Sequence, residues 1–404
     1  MPHEISLIST IAVSLVYALI GGTIAVRLRL PPLVGYLLAG IAVGPFTPGF
    51  VADAHLAPQL AEIGVMLLMF GVGMHFSLAD LMAVRSVALP GAIVQMALAT
   101  ALGMGAAWLW GWSLGAGLVF GLALSVASTV VLLKALEATS ALGSQAGRIA
   151  VGWLIVEELV MVLILVLLPA LAAPLGGHPL DASTTGEKNI FFSIAITLAK
   201  VAAFVTLMLL AGKRLFPWIL QQIEKTGSRE LFTLAVLVLA LGVAFGSSEL
   251  FGVSFALGSF FAGLVVNESD SSHRAARDLQ PLQDAFSVLF FVAMGMLFDP
   301  GILVRQPFQL LLTAGIIVVG KSVIAFGLSL ALRCERHTAL LVSAGLSQIG
   351  EFSFILAALG IQLGLLPADA QHLLLAGALI SITCNPFIFR AVTCKQTAHE
   401  IQPA

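Results

Sequence analysis

The sequence predicts an all-α polytopic membrane protein. Of its 404 residues, 59% are hydrophobic and only 10% are charged, whereas soluble domains carry about 25% charged residues. The apolar residues also occur in long runs, and a helix needs about 20 apolar residues to cross a bilayer. No basic segment that would bind nucleic acid interrupts these runs, so the lipid bilayer is the expected surrounding of the chain.

Thirteen apolar runs are candidate membrane spans. They cover residues 5–25, 32–47, 58–76, 88–110, 114–136, 148–173, 190–212, 230–247, 251–267, 283–298, 307–331, 337–364 and 370–392. The first run lacks a preceding basic segment and a small-residue cleavage site, so it is predicted to be retained as a span. Because thirteen is odd, the two termini are expected on opposite sides of the membrane.

The distribution of basic residues predicts the orientation. With the N-terminus outside, fifteen Lys and Arg residues fall in the inner loops and helix ends, and the outer side holds Lys188 and Arg305. Cytoplasmic loops carry an excess of Lys and Arg. The C-terminus is therefore predicted to be cytoplasmic.

Two adjacent carboxylates, Glu157 and Glu158, lie near the middle of the sixth run. A charge at the bilayer centre costs roughly 2.5 kcal/mol or more, and such residues usually mark an ion or proton pathway. A solvated pair at the end of a shorter helix is disfavoured because apolar residues flank the pair on both sides. We interpret the pair as the ion or proton site of a membrane transporter.

Polar clusters interrupt the fifth and twelfth runs, at residues 125–129 and 347–353. The two runs lie an odd number of spans apart, so they cross the membrane in opposite directions. Transporters built from inverted repeats place broken helices at matching positions, and the freed carbonyls and helix ends form ion sites. The simplest prediction is a pair of interrupted helices that cross near the midplane.

The residues of these clusters differ in how strongly they indicate a site. Ser and Thr in membrane helices usually bond a carbonyl or join helices, so Ser125 by itself is typical of a structural residue. The matched settings favour a functional role for Ser128, Thr129 and Gln348. In the second cluster, Gly350 next to Glu351 is consistent with an unwound turn.

Two lysines also fall inside apolar runs. Lys321 is too far from either end of its run to snorkel, so we expect it to have a carboxylate partner. Lys200 has no motif around it, and a structural ion pair or snorkelling is the expected role. His75 and His372 lie near span ends and are predicted to be interfacial.

Motifs for enzymatic chemistry do not occur. The three cysteines lack paired metal spacing, and neither a His-Glu-x-x-His motif nor a Gly-x-Ser-x-Gly nucleophile turn is found. We therefore expect no cofactor and no enzymatic activity.

Five segments carry a resemblance to a known family. They are residues 30–40, 60–70, 125–131, 268–282 and 347–354. Together they resemble the monovalent cation/proton antiporter 2 family, most closely its Kef and YbaL-like branch of potassium/proton antiporters, over essentially the whole chain. The resemblance implies a sodium/proton-antiporter-like fold of about thirteen helices, with inverted repeats and two broken crossing helices, in the inner membrane of a bacterium.

The resemblance also implies a division of labour among the helices. It assigns 88–173 and 307–392 to transport, 1–76 and 230–298 to the scaffold of a homodimer, and 190–212 to a linker helix. Kef-type proteins continue into a cytoplasmic nucleotide-binding regulatory domain with a Gly-x-Gly-x-x-Gly turn. This chain has no such turn after a predicted strand, and truncation is the expected reason.

At the site, the resemblance makes Glu158 the ion- and proton-binding carboxylate. Glu157 takes the preceding slot, which in some antiporters pairs with the lysine equivalent to Lys321. The transported monovalent cation is expected at Glu158 and Thr129, with Ser128 beside them. The Glu-Glu pair departs from the family's commoner Asp-Asp and Gln-Asp pairs, so the ion preference does not transfer with the resemblance.

The implied function is secondary active antiport of a monovalent cation, potassium by preference, against protons by alternating access. Sodium/proton antiport and a ligand-gated potassium efflux pathway of channel type are the main alternatives. A sensor that has kept the fold and a sodium-coupled organic anion symporter are further ones. A channel needs no protonatable carboxylate, and a symporter needs a wider polar cavity.

Overall fold

The computed structural model describes residues 3–48, 56–75, 78–178 and 190–400, and regular structure within these ranges is helical throughout. The helices of the first half are α1 (His3–Arg27), α2 (Pro32–Val43), α3 (Leu56–His75), α4 (Leu78–Leu109), α5 (Leu114–Ser125), α6 (Thr129–Ala138), α7 (Gln145–Leu171), α8 (Ile190–Leu207) and α9 (Lys213–Glu224). The prediction of an all-α protein is confirmed.

The second half continues in the same way. Its helices are α10 (Arg229–Leu237), α11 (Val243–Phe251), α12 (Phe255–Asn267), α13 (Ser272–Met296), α14 (Ile302–Arg305), α15 (Pro307–Gly315), α16 (Lys321–Ala331), α17 (Arg336–Gly345), α18 (Glu351–Gln362) and α19 (Ala368–Glu400). Single π-helical turns at Met208–Gly212, Val238–Gly242 and Ile316–Gly320 join α8 to α9, α10 to α11 and α15 to α16.

Within the described ranges, nine helical segments are long and apolar enough to cross a membrane. The four remaining predicted spans coincide with the shorter apolar helices α2, α5, α12 and α18, of which α5 and α18 are each half of a broken helix. The number of thirteen crossings stays a prediction, as does the orientation, and Lys188 lies outside the described residues.

The two predicted interruptions are real breaks in the backbone. Helix α5 ends at Ser125, Val126 is extended, and α6 restarts behind Ser128, whose hydroxyl accepts from Val131 N at 3.4 Å as an N-cap. The second break separates α17 from α18, and Gly350 is extended at the start of α18. Serine is a preferred N-cap because its oxygen satisfies a free N–H of the first turn.

The broken helices belong to two repeats of inverted topology. The first comprises α4, the α5–α6 pair and α7, and the second comprises α15–α16, the α17–α18 pair and α19. The repeats pack on each other through α4 with α16, α7 with α17, and α5 with α18. This is the predicted inverted repeat with two crossing broken helices.

A second group of helices packs mainly among itself. Helix α1 lies on α2, α2 on α13, and α3 on both α12 and α13. Glycines allow the closest of these contacts: a Cβ on Gly295 would lie 2.2 Å from Leu37 O, and one on Gly40 would lie 2.1 Å from Val292 O. Small residues at such crossings are typical of membrane helices because they let two backbones approach.

We expect Gly295→Ala to separate α2 from α13 and to lower the free energy of unfolding by about 1–3 kcal/mol, the usual cost of overpacking. Thermal unfolding of the purified protein in detergent measures the effect. Gly327→Ala is the matched control, because Gly327 is helical and no atom of the described part of the chain lies within 4 Å of a Cβ placed there. Equal melting temperatures for the two variants would contradict the predicted close contact.

Candidate ion-binding site

Reciprocal hydrogen bonds join the two broken helices where they cross. Ser128 N donates to Gln348 Oε1 at 2.9 Å, and Gln348 Nε2 donates to Ser128 O at 3.1 Å. Both side chains are buried. The primary amide of Gln348 thus satisfies Ser128 N, which the break leaves outside the helical hydrogen-bond pattern, and adds a second hydrogen bond to Ser128 O, which also accepts from Leu132 N at 3.1 Å. We call this pair of bonds the Gln348–Ser128 clasp.

Gly350 allows the clasp to form. A Cβ on Gly350 would lie 2.7 Å from Ser128 Cα and 2.9 Å from Ser128 N, which is closer than atoms of packed side chains approach. Gly350 lies in an unwound turn, as expected, and a residue without a Cβ is needed there because the two backbones approach closely.

Helix α7 carries the acidic pair past the first break. Ala127 N, which lies in that break, donates to Glu157 Oε2 at 2.8 Å, while Glu157 Oε1 is buried and has no hydrogen-bond partner among the described residues. Glu157 therefore uses one oxygen to hold the extended segment.

Glu158 points to a different partner, because adjacent residues of a helix lie about 100° apart. Its Oε1 accepts a hydrogen bond from Thr129 Oγ1, at the first residue of α6. The Glu158 side chain is 9% exposed, whereas Glu157 is completely buried. Glu158 thus lies beside the break and retains slight access.

Glu351 brings a third carboxylate to the same place. It is the first residue of α18, it is 2% exposed, and its Oε2 accepts from Ser128 Oγ at 3.2 Å. Glu158 and Glu351 also interact electrostatically. The hydroxyls of the adjacent residues Ser128 and Thr129 therefore donate hydrogen bonds to two different carboxylates, those of Glu351 and Glu158.

Lys321 follows the π-helical turn Ile316–Gly320 and is completely buried. Its Nζ donates to Gln348 O at 2.8 Å, and in the described part of the chain no salt bridge joins it to a carboxylate. The direct contact expected with Glu157 is thus replaced by a bond to a carbonyl that the second break has freed. Lys321 and Glu157 still interact electrostatically.

Two buried amides that sequence reasoning missed hold the ends of the breaks. Gln95 Nε2 of α4 donates to Ser125 O at 3.1 Å, and Asn385 Nδ2 of α19 donates to Ala344 O at 2.8 Å. Each bonds a carbonyl near the end of the half-helix that precedes a break, and Ala344 O also accepts from Ser347 Oγ at 2.8 Å. In the sequence, the signal for both residues is an amide side chain inside an apolar run. The hydroxyl of Ser125 itself donates to Leu122 O of its own helix.

The other singled-out residues lie apart from this cluster. Lys200 is exposed on α8. His372 packs against Phe46 and Phe298 and accepts from Asp299 N at 3.3 Å. Arg305 donates to Asp299 and holds the pKa of that carboxyl below its usual value. These contacts are those of a residue near a helix end, as expected for His372.

Two broken helices that cross beside buried carboxylates define a membrane protein of the sodium/proton-antiporter-like fold. The chain belongs to the family described as "Sodium/hydrogen exchanger, transmembrane", whose model matches residues 14–395. The resemblance to cation/proton antiporters is confirmed by relatives. The chain is 59% identical over 389 residues to the "Putative cation/proton antiporter YbaL" of Escherichia coli (strain K12), a match that covers 96% of this chain and 69% of that protein.

A plant relative and a solved structure extend the comparison. The chain is 33% identical to "K(+) efflux antiporter 4" of Arabidopsis thaliana, over 96% of this chain and 64% of that one. The structure of the sodium proton antiporter MjNhaP1 from Methanocaldococcus jannaschii superposes with a TM-score of 0.63 at 17% identity, over 97% of this chain and 96% of that chain. At this identity the structural match shows the fold.

We expect Lys321→Met to lower the free energy of unfolding by about 3 kcal/mol, because it leaves the buried charge of Glu157 uncompensated. Combining it with Glu157→Gln is expected to recover about 1 kcal/mol or more. The free energies of unfolding of the native protein, the two single variants and the double variant, measured by denaturation in detergent, form a double-mutant cycle. Costs that simply add would show that these two residues are not coupled.

Proposed function

We propose that this chain exchanges a monovalent cation for protons across a membrane. The observation that carries the proposal is the position of Glu158, which is buried, hydrogen-bonded to Thr129 and placed where the two broken helices meet. An ionisable residue at such a place marks an ion or proton pathway. The name of the relative from Escherichia coli supports the same activity, and the exchange requires no cofactor.

Exchange follows from competition for one carboxylate. A proton neutralises Glu158 in one state of the site, and a cation neutralises it in the other. The oxygens proposed to bind an alkali cation are those of the Glu158 carboxylate, of the Thr129 hydroxyl that donates to it, and of the hydroxyl of the adjacent Ser128. Because both ligands need the same carboxylate, each moves only when the other has left, and the two fluxes are coupled.

Potassium is the proposed cation, and sodium is the alternative. The names of the plant relatives, K(+) efflux antiporters that are 30–33% identical to this chain, support potassium. The family description and the sodium proton antiporter of similar fold support sodium. A Glu side chain reaches further than an Asp side chain, so the distances from the carboxylates to the cation differ from those at an Asp pair. The ion preference therefore has to be measured with a series of cations.

Alternating access requires one group of helices to move against another. The packing supports the division proposed from the sequence: the two repeats contact each other closely, while α1, α2, α3, α12 and α13 form the second group. We propose that the repeats move and that the second group forms the scaffold of a homodimer. The membrane is proposed to be the bacterial inner membrane, with the N-terminus outside.

We expect Glu158→Gln to abolish cation-driven proton movement while leaving the protein folded. Purified protein in vesicles that contain a pH-sensitive dye is challenged with potassium, sodium or lithium pulses. Glu249→Gln is the matched control, since it neutralises an exposed acid on α11. Proton movement by Glu158→Gln at the rate of the control would refute the assignment. A potassium current without proton movement in the native protein would favour the channel alternative.

A further inference from the structure

Three arginines line a cavity of about 480 Å³ on helices that belong to neither repeat. They are Arg229, the first residue of α10, and Arg274 and Arg277 in the first two turns of α13, and Asp278 completes the lining. Sites that bind small ligands measure about 300–1,000 Å³. The lining carries three positive charges and one negative charge, so the cavity favours an anion.

Arg274 is held in a fixed position at this cavity. Its guanidinium carbon lies 4.3 Å from the centre of the Phe232 ring, its Nη1 donates to Glu224 Oε1 at 2.9 Å, and its Nε lies 3.8 Å from Asp278 Oδ2. Glu224 also accepts from Ser271 Oγ at 2.9 Å. An arginine that is oriented in this way presents its remaining N–H groups in the planar geometry that suits a phosphate.

The other two arginines differ in how their charge is compensated. Arg229 lies 3.2 Å from Asp278 Oδ1, and its side chain is 76% exposed, whereas that of Asp278 is 4% exposed. Arg277 is exposed and has no ion-pair partner among the described residues. The carboxylate of the lining is thus shared by Arg229 and Arg274, and the charge of Arg277 is left for a ligand.

The cavity lies at the end of a predicted membrane span. Arg229 is the first residue of the segment Arg229–Phe251, which is long and apolar enough to cross a bilayer. In this segment Leu231, Leu234 and Val238 are exposed and share one face of the helix. Basic residues at the end of a span lie close to the phosphates of the membrane surface and attract anionic lipids.

We infer that the cavity binds the phosphate of an anionic phospholipid. Arg274 and Arg277 of α13 and Arg229 of α10 bind the headgroup, and an acyl chain lies along the exposed apolar face of α10. A free phosphate ion would present the same charged group, but the apolar face next to the arginines favours the lipid. The site is independent of the proposed exchange, because it is formed outside the repeats and is tested by lipid binding.

The test compares two lipids that differ in headgroup charge. Purified protein in detergent is titrated with an equal mixture of phosphatidylglycerol and phosphatidylcholine that carry the same acyl chains, and native mass spectrometry counts the lipids that stay bound. We expect the native protein to retain phosphatidylglycerol in preference to phosphatidylcholine. Arg277→Gln is expected to weaken the binding of phosphatidylglycerol about fivefold, the contribution of one basic residue at a membrane surface.

Two further variants separate the cavity from charge in general. Arg277→Lys keeps the positive charge and is expected to bind phosphatidylglycerol more tightly than Arg277→Gln does. Arg336→Gln is the matched control, because Arg336 is exposed at the start of α17, away from the cavity lining, and has no ion-pair partner among the described residues. It is expected to bind as the native protein does.

Four results would overturn the inference. They are equal retention of the two lipids by the native protein, and equal binding of phosphatidylglycerol by the native protein and Arg277→Gln. The third is displacement of phosphatidylglycerol by inorganic phosphate at the same concentration, which would identify the ligand as a free anion. The fourth is a loss of oligomers in Arg277→Gln with unchanged lipid binding, which would make the cavity a contact between two copies of this chain.

Discussion

The Gln348–Ser128 clasp is the interaction on which the rest of the site depends. A break in a membrane helix exposes N–H and C=O groups that no water can satisfy, and each costs several kcal/mol if left unpaired. Gln348 and Gln95 satisfy two of these groups with amides, and Lys321 satisfies the carbonyl of Gln348. Neutral amides thus take most of this task, and Glu158 bonds the hydroxyl of Thr129.

The clasp also explains why the charges tolerate burial. It holds the N-termini of α6 and α18 at one point, where their partial positive charges act on the same carboxylates. Lys321 contributes a full charge without occupying a carboxylate oxygen, since its Nζ bonds a carbonyl. The negative charges of the carboxylates are thus balanced by the helix N-termini and by Lys321, whose Nζ does not occupy a carboxylate oxygen.

Much of this architecture is predictable because the bilayer imposes a simple rule on sequence. Apolar runs place the helices, and polar residues inside them mark both breaks and the acids Glu157 and Glu158. Partners are harder to predict. Gln95 bonds the carbonyl of Ser125, thirty residues away, and Lys321 bonds the freed carbonyl of Gln348 and not the carboxylate of Glu157. A buried polar residue indicates that a partner exists, but which one depends on how distant helices pack.

Competition between cation and proton is the central claim, and the affinity of the purified protein for its cation measures it most directly. Calorimetric titration with potassium and with sodium, from mildly acid to mildly alkaline pH, gives the apparent Kd at each pH. The account predicts that Kd rises as pH falls, by up to about tenfold per pH unit for each competing proton. A Kd that is the same at every pH would contradict the account.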